Sequence, residues 1–331
     1  MKHDSQPCPK CGYDQSGIIS TWEDQCPMEG RCPECGLDFE WANVFDSSRV
    51  DLPWYVEHAR SPWRMIRRTI PTLWYLLIPN RYWKRVGIES QIRLFTLVLW
   101  SVLLVGVLHT VSTTAFVFSN FFMYYEWANG ATVTLVDFFT EFNTFEARKI
   151  LYDRGWWFDS IVSGVGYPYF NRNWWWPDLD SGTGAARSLV YCYGITLMWV
   201  IILSVVPTTR RLAQLKYGHV ARALLISLLM PVVFFESVRL IDASILFSAG
   251  KSWFVGSGFY QIYLGPYISQ SIVYLMVLWI QWHWVSAIRS GWKIRRSKLL
   301  LLIGLLGSSV CSYLLTSLLY ALWFIFEHSL Y

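Results

Sequence analysis

Five long apolar stretches constrain this chain more than any other feature. They run about 94–118, 188–206, 222–247, 265–288 and 299–326. Each reaches or nearly reaches the ~20 residues that cross a hydrocarbon core as a helix. The first carries no Asp, Glu, Lys or Arg across its 25 residues. In lipid, backbone polar groups must be satisfied inside the chain, so such segments are read as helices. Only 15% of the residues are charged and 18% are aromatic, whereas soluble domains carry about 25% charge. That balance excludes a disordered or solvated tail protein. It also argues against a soluble globule, which could not hide so much aromatic surface. The expected fold class is an all-α polytopic membrane protein with five transmembrane helices and a small N-terminal zinc ribbon. The expected domains are a ribbon over 1–46, a basic interfacial segment over 47–93, and a five-helix membrane domain over 94–331. The last includes an extracytoplasmic Trp-rich loop over 119–187.

Charge between the stretches sets an orientation. Arg210, Arg211, Lys216 and Arg222 separate or open stretches two and three without an acid between them. Arg289, Lys293, Arg295, Arg296 and Lys298 do the same between stretches four and five. Residues 53–93 hold eight Lys/Arg against Glu57 and Glu89, while 119–187 holds five cations and eight acids. Basic and non-basic segments alternate, and the positive-inside rule gives a cytoplasmic N-terminus and an extracytoplasmic C-terminus. The N-terminal residues MKHDSQPCPK lack an apolar signal region, so no cleavable signal peptide is expected. A bacterial cytoplasmic (inner) membrane is the expected location.

The head contains Cys8-Pro-Lys-Cys11-Gly12 and Cys32-Pro-Glu-Cys35-Gly36, with twenty residues between the pairs. This fits the C-x2-C-x15–20-C-x2-C pattern of zinc sites. Two thiolates two residues apart reach one tetrahedral ion when the backbone turns tightly between them. Pro9 and Pro33 preset φ for that turn, and Gly12 and Gly36 permit the left-handed conformation after it. Cys8, Cys11, Cys32 and Cys35 are therefore the expected ligands of a structural Zn2+. A rubredoxin-like iron site uses the same four-sulfur set and stays open as the alternative. Tyr13, Trp22, Phe39 and Trp41 are candidates for a small aromatic core beneath the ion. Cys26 lacks a CxxC partner and reads as a free loop cysteine, and Cys192 and Cys311 lie alone in apolar runs.

Residues 1–46 hold three cations and nine acids. Nucleic-acid affinity rests on Lys and Arg neutralising phosphates, so a head of net −6 is not expected to bind DNA or RNA. CPKCGYDQSG followed by RCPECGLDF resembles the head of a group of bacterial membrane proteins, frequent in planctomycete-type organisms, that begin with a CPxCGYD zinc ribbon. The resemblance covers residues 8–39 and implies the same four ligands, with Tyr13-Asp14 part of the shared spelling. The five-span, N-in topology is also similar to that of the Yip1 family of membrane-trafficking proteins, although no DLYGP signature is present.

Residues 60–85, RSPWRMIRRTIPTLWYLLIPNRYWKR, contain an apolar run too short to cross, with cations on both sides and Trp63, Trp74 and Trp83 interleaved. That is the composition of an interfacial segment. Residues 49–93 carry net +6, and anionic lipid is the preferred partner of this collar. The acidic head is the other candidate.

Two further groups of residues carry candidate chemistry. In the outer loop, Trp156 and Trp157, then Trp174, Trp175 and Trp176, bracket a Gly- and Pro-containing turn. They read as an aromatic belt at the membrane surface, or as a stacking site for a sugar or headgroup. In stretch three, Glu236, Arg239 and Asp242 follow one another at steps of three and share a helical face. His109 of stretch one lies at a matching depth. A mid-membrane charge costs roughly 2.5–3.5 kcal/mol, so this cluster reads as a polar clamp, with an ion or proton path as the rival. No H-E-x-x-H, Walker, G-x-S-x-G or post-strand G-x-G-x-x-G motif occurs, so no enzyme class is expected. The expected role is a binding or scaffold protein whose ribbon meets a protein partner. Transporter or channel component, and membrane electron carrier, are the alternatives.

Overall fold

A computed structural model describes residues 6–23, 25–129, 185–204, 215–259, 265–294 and 297–329. The head opens with α1 (Ser16–Ile19), followed by β1 (Glu29–Arg31), β2 (Asp38–Glu40) and α2 (Trp41–Phe45). β1 and β2 pair antiparallel with Gly30 opposite Phe39, and an isolated bridge joins Pro7 to Asp14. Trp41 is the centre of the head's aromatic core. It meets Trp22 and Phe39 edge-on at 4.7 and 5.0 Å and stacks with Phe45 at 5.9 Å. Gly30 is required here, because a Cβ would sit 2.6 Å from Trp41 Nε1. Tyr13, expected in this core, is exposed, and the equally exposed Phe45 packs one face on the core's edge against Trp22 and Trp41.

The collar forms two helices, α3 (Pro62–Leu77) and α4 (Pro79–Arg85). Ser61 caps α3 by accepting from the Arg64 N–H, and Pro62 occupies the first turn, where its missing N–H costs nothing. Ile78 leaves helical geometry and Pro79 restarts the chain as α4. Among the described residues, five longer helices follow: α5 (Leu94–Asn129), α6 (Ala185–Ser204), α7 (Tyr217–Phe259), α8 (Gly265–Ser286) and α9 (Ser297–Ser329). A π-turn at Ala287–Gly291 ends α8. Among the described residues, three helices are long and apolar enough to cross a membrane: Leu94–Ala115, Tyr217–Ile241 and Lys298–Leu319. Leu189–Ser204 is apolar but shorter. α7 runs through Pro231 without interruption.

The chain divides into two compact units. The first comprises 1–102, 192–228 and 277–331. Its helices meet through small residues: a Cβ on Gly304 would lie 2.1 Å from the Trp199 ring, and one on Gly194 2.3 Å from Ser312 Oγ. Such close backbone approach is how helices associate where the surroundings are as apolar as their side chains. Gln281 links three helices, accepting from Trp199 Nε1 at 2.8 Å and donating to Ser308 and Ser309 at 3.0 Å. An aromatic core joins α4 to α8. His283 stacks on Trp279, and Trp83 Nε1 donates to His283 Nδ1. The second unit comprises 103–191 and 229–276. Leu229, Met230 and Met276 are buried in it, as is a polar group around Glu236 that is treated below.

Candidate metal centre

The two CPxCG segments fold alike. In the first, Cys8 N–H donates to Tyr13 C=O at 2.8 Å and Gly12 N–H to Cys8 C=O at 3.0 Å. In the second, Cys32 N–H donates to Leu37 C=O and Gly36 N–H to Cys32 C=O, both at 2.9 Å. Gly12 and Gly36 have φ of 83° and 64°, the left-handed region where a side chain is strained. Each turn therefore presents two sulfurs on one side. Cys8 Sγ lies 3.7 Å from Cys35 Sγ, Cys11 Sγ lies 3.6 Å from Cys32 Sγ, and all four ligand atoms fall within 4.8 Å of one another. Four sulfurs ~2.3 Å from one tetrahedral ion stand ~3.8 Å apart, so the cluster could bind a metal ion. Cys8 and Cys32 are buried, and Gln15 Nε2 donates to Cys32 Sγ at 3.4 Å. Cys26 is exposed and lies outside the cluster.

The electrostatics call for a cation. The contact with the Cys35 thiol lowers Cys8 to about 5, and the same contact raises Cys35. Burial pushes Cys11 up to about 11. Adjacent sulfurs thus share protons rather than all ionising. A bound ion removes that conflict by neutralising the thiolates directly.

The first knuckle also rests on the foot of α7. Lys216 N–H donates to Lys10 C=O at 2.8 Å, and His219 Nε2 donates to Pro9 C=O at 3.0 Å. A Cβ on Gly12 would lie 3.1 Å from Lys216 Cε. Burial lowers the Lys216 ammonium, and the nearby Cys8 and Cys11 oppose that shift. Lys10, counted among the head's cations, is buried in this seam.

One turn further along α7, Arg222 enters the collar. Its Nε lies 2.7 Å from Glu57 Oε2, and Nη2 donates to Glu57 Oε1 at 3.1 Å. Arg222 also donates to Ser90 Oγ and to the Gln91 carbonyl, and Arg93 N–H donates to Glu57 Oε1 at 2.6 Å. Both charged side chains are fully buried. Sequence reasoning missed this pair, treating Arg222 as a loop cation. The available signal was Glu57 itself, an isolated acid facing a run of cations.

In the second unit, Glu236 of α7 is buried between helices. His109 Nδ1 lies 2.8 Å from Glu236 Oε1, and Ser112 Oγ donates to Oε2. Arg239 Nη1 stands 3.8 Å from Oε2 and donates to Thr113 Oγ1 at 3.1 Å. Asp242 lies on α7, but its side chain is outside the described residues. Trp156, Trp157, Trp174, Trp175 and Trp176 are also outside them.

No protein-family model, curated protein or solved structure matches the chain. The four-cysteine cluster and the three helices long and apolar enough to cross a membrane together describe a membrane protein with a thiol-rich head that could hold a metal ion.

Proposed function

We propose that the chain is a five-span inner-membrane protein with a cytoplasmic N-terminus. Its head is a zinc ribbon that offers an acidic surface to a protein partner. One observation carries the partner reading. Asp14, Glu23, Glu29, Glu34, Asp38, Glu40 and Asp46 are all exposed, while Lys10 is withdrawn into the seam with α7. Beside these acids stand exposed Met28 and Phe45. Charge set around a few exposed apolar groups suits a protein interface, in which charge steers encounter and apolar contact holds it. The same surface would repel phosphates.

Zinc is supported by the matched knuckles, the tetrahedral sulfur spacing and the closed four-thiolate set, which leaves no open position for catalysis. The resemblance to CPxCGYD membrane proteins supports the same ligands, and alternating loop charge supports the N-in orientation. The transport reading of Glu236 has less behind it, since both carboxylate oxygens are engaged by His109 and Ser112.

Two measurements test the reading. Elemental analysis of the purified protein should give one zinc per chain; iron in its place would support the electron-carrier alternative. Affinity capture in mild detergent should retain a soluble protein that is lost when Glu29, Glu34, Asp38 and Glu40 are changed to Lys with metal content unchanged. Capture that ignores this charge reversal would overturn the scaffold reading.

A further inference from the structure

Helix α3 is turned inside out relative to a surface helix of a soluble domain. Such a helix points its apolar stripe at the core. On α3, Trp63, Ile66, Ile70, Trp74 and Leu77 are all exposed, Trp63 at 67% and Ile70 at 77%. At 100° per residue these five fall within an arc of about 80°. Met65, Thr72 and Leu76 are buried on the other side.

That other side is firmly fastened. Thr72 Oγ1 accepts from Val56 N–H at 3.0 Å and donates to the Trp54 carbonyl at 3.1 Å. Trp100 Nε1 of α5 donates to Thr69 Oγ1 at 3.0 Å, and Trp279 Nε1 of α8 donates to the Leu76 carbonyl at 3.1 Å. Among the described residues, the contacts that hold α3 thus lie on the side away from the exposed stripe.

We infer that α3 lies in a membrane interface, on the cytoplasmic side in the orientation proposed above, with its exposed stripe in the acyl boundary and the surrounding cations on anionic lipid headgroups. Three observations select lipid over a protein. Arg64, Arg67, Arg81, Lys84 and Arg85 are exposed around the helix, and no acid occurs between residues 58 and 88; Arg60, also exposed, pairs with Asp51 at 3.3 Å. Arg stems can lie along apolar surface while their guanidinium groups reach phosphate. Trp63 and Trp74 sit toward opposite ends of the stripe, as indoles do at headgroup depth. Finally, α5 and α8, to which α3 is tied, expose their own apolar residues: Phe95 and Val102 on the former, Leu278 and Trp282 on the latter. An interfacial helix joined to bilayer-facing helices has continuous lipid contact, without a second protein surface.

The test places p-benzoylphenylalanine at Ile70 or, separately, at Trp74. The full chain is reconstituted in nanodiscs of phosphatidylcholine and phosphatidylglycerol, irradiated and weighed by mass spectrometry. Both positions should yield phospholipid adducts, with phosphatidylglycerol enriched over its input. Arg64→Gln with Arg67→Gln should reduce that enrichment by roughly five-fold or more. All four residues are exposed, so unchanged metal content and melting temperature should accompany the loss. A crosslink to a second copy of the chain or to another protein, or no lipid adduct at either position, would overturn the inference. Enrichment unaffected by the double substitution would overturn its headgroup part. Neither the metal's identity nor the head's partner enters this readout.

Discussion

His219 donates a 3.0 Å hydrogen bond to the carbonyl of Pro9, the residue that follows the first thiol of the four-cysteine cluster. The turn that shapes one half of the cysteine cluster is thereby held by the foot of α7, with Lys216 N–H on the next carbonyl. Removing the metal should loosen both partners. Hydrogen exchange after chelation should show lost protection at residues 8–14 and at 215–220 together. Protection at 215–220 that survives chelation would show that the seam does not depend on the ion. His219→Ala should keep the metal and cost on the order of 1 kcal/mol, the usual net value of one hydrogen bond.

The Glu57–Arg222 pair predicts a larger effect. Neither charge has access to water, and Arg93 N–H and the Gln91 carbonyl complete the shell. Glu57→Gln leaves a buried guanidinium without its counter-charge, which costs about 3–5 kcal/mol. The substitution should sharply lower the melting temperature in detergent. Glu57→Leu combined with Arg222→Met should recover most of that loss, because no charge is then left buried. An unchanged melting temperature for the single variant would show that the site is wetter than the geometry indicates.

His58 gives a pH dependence with a definite sign. Its Nδ1 accepts from Leu52 N–H at 2.7 Å, so the ring is neutral, and Nε2 donates to the Gln91 carbonyl. Burial, the dominant cause, lowers its pKa from 6.5. The unfolded chain therefore takes up a proton at a higher pH than the folded one. The stabilisation is complete above about 6.5 and is lost as pH falls from there through the folded value. Melting temperature measured from pH 7.5 downward should fall more steeply for the natural chain than for His58→Gln. Equal slopes would remove His58 as the source.

What the sequence reveals follows the distance over which each feature is built. The cysteine cluster is legible because each half is a five-residue turn and both halves share one spelling. The long helices are legible because an uncharged run such as 94–118 has few other forms. That Phe45 rather than Tyr13 meets Trp41 is not legible, because periodicity is uninformative in elements of three to five residues. Glu57 and Arg222 lie 165 positions apart, and nothing local distinguishes a buried cation from a loop cation. Lys10 shows the same limit at short range. It reads as part of the head's surface charge, yet it is buried, with its carbonyl accepting from Lys216 N–H.

Gly304 tests the helix packing of the first unit. The Trp199 ring occupies the space a Cβ would need, at 2.1 Å, and ring atoms of a rigid side chain held by Gln281 cannot easily yield. Gly304→Ala should destabilise by about 1–3 kcal/mol through overpacking. Adding Trp199→Leu should restore much of the loss by vacating that space. A neutral Gly304→Ala would mean that the two helices separate at little cost.

Glu236 distinguishes a clamp from a path. Its oxygens are divided between two helices: His109 and Ser112 of α5 hold them, and Arg239 of α7 balances the charge. In a clamp, removing the carboxylate takes from the buried Arg239 a counter-charge 3.8 Å away. Glu236→Ala should then reduce accumulation in the membrane, and adding Arg239→Leu should recover it, since an uncharged pair carries no desolvation cost. In a path, the single variant would accumulate and melt like the natural chain while losing flux across proteoliposomes. Normal accumulation and melting of Glu236→Ala would therefore sink the clamp. Loss rescued by the double substitution would show that Glu236 is needed to compensate the buried Arg239, a structural charge balance rather than a conducting role.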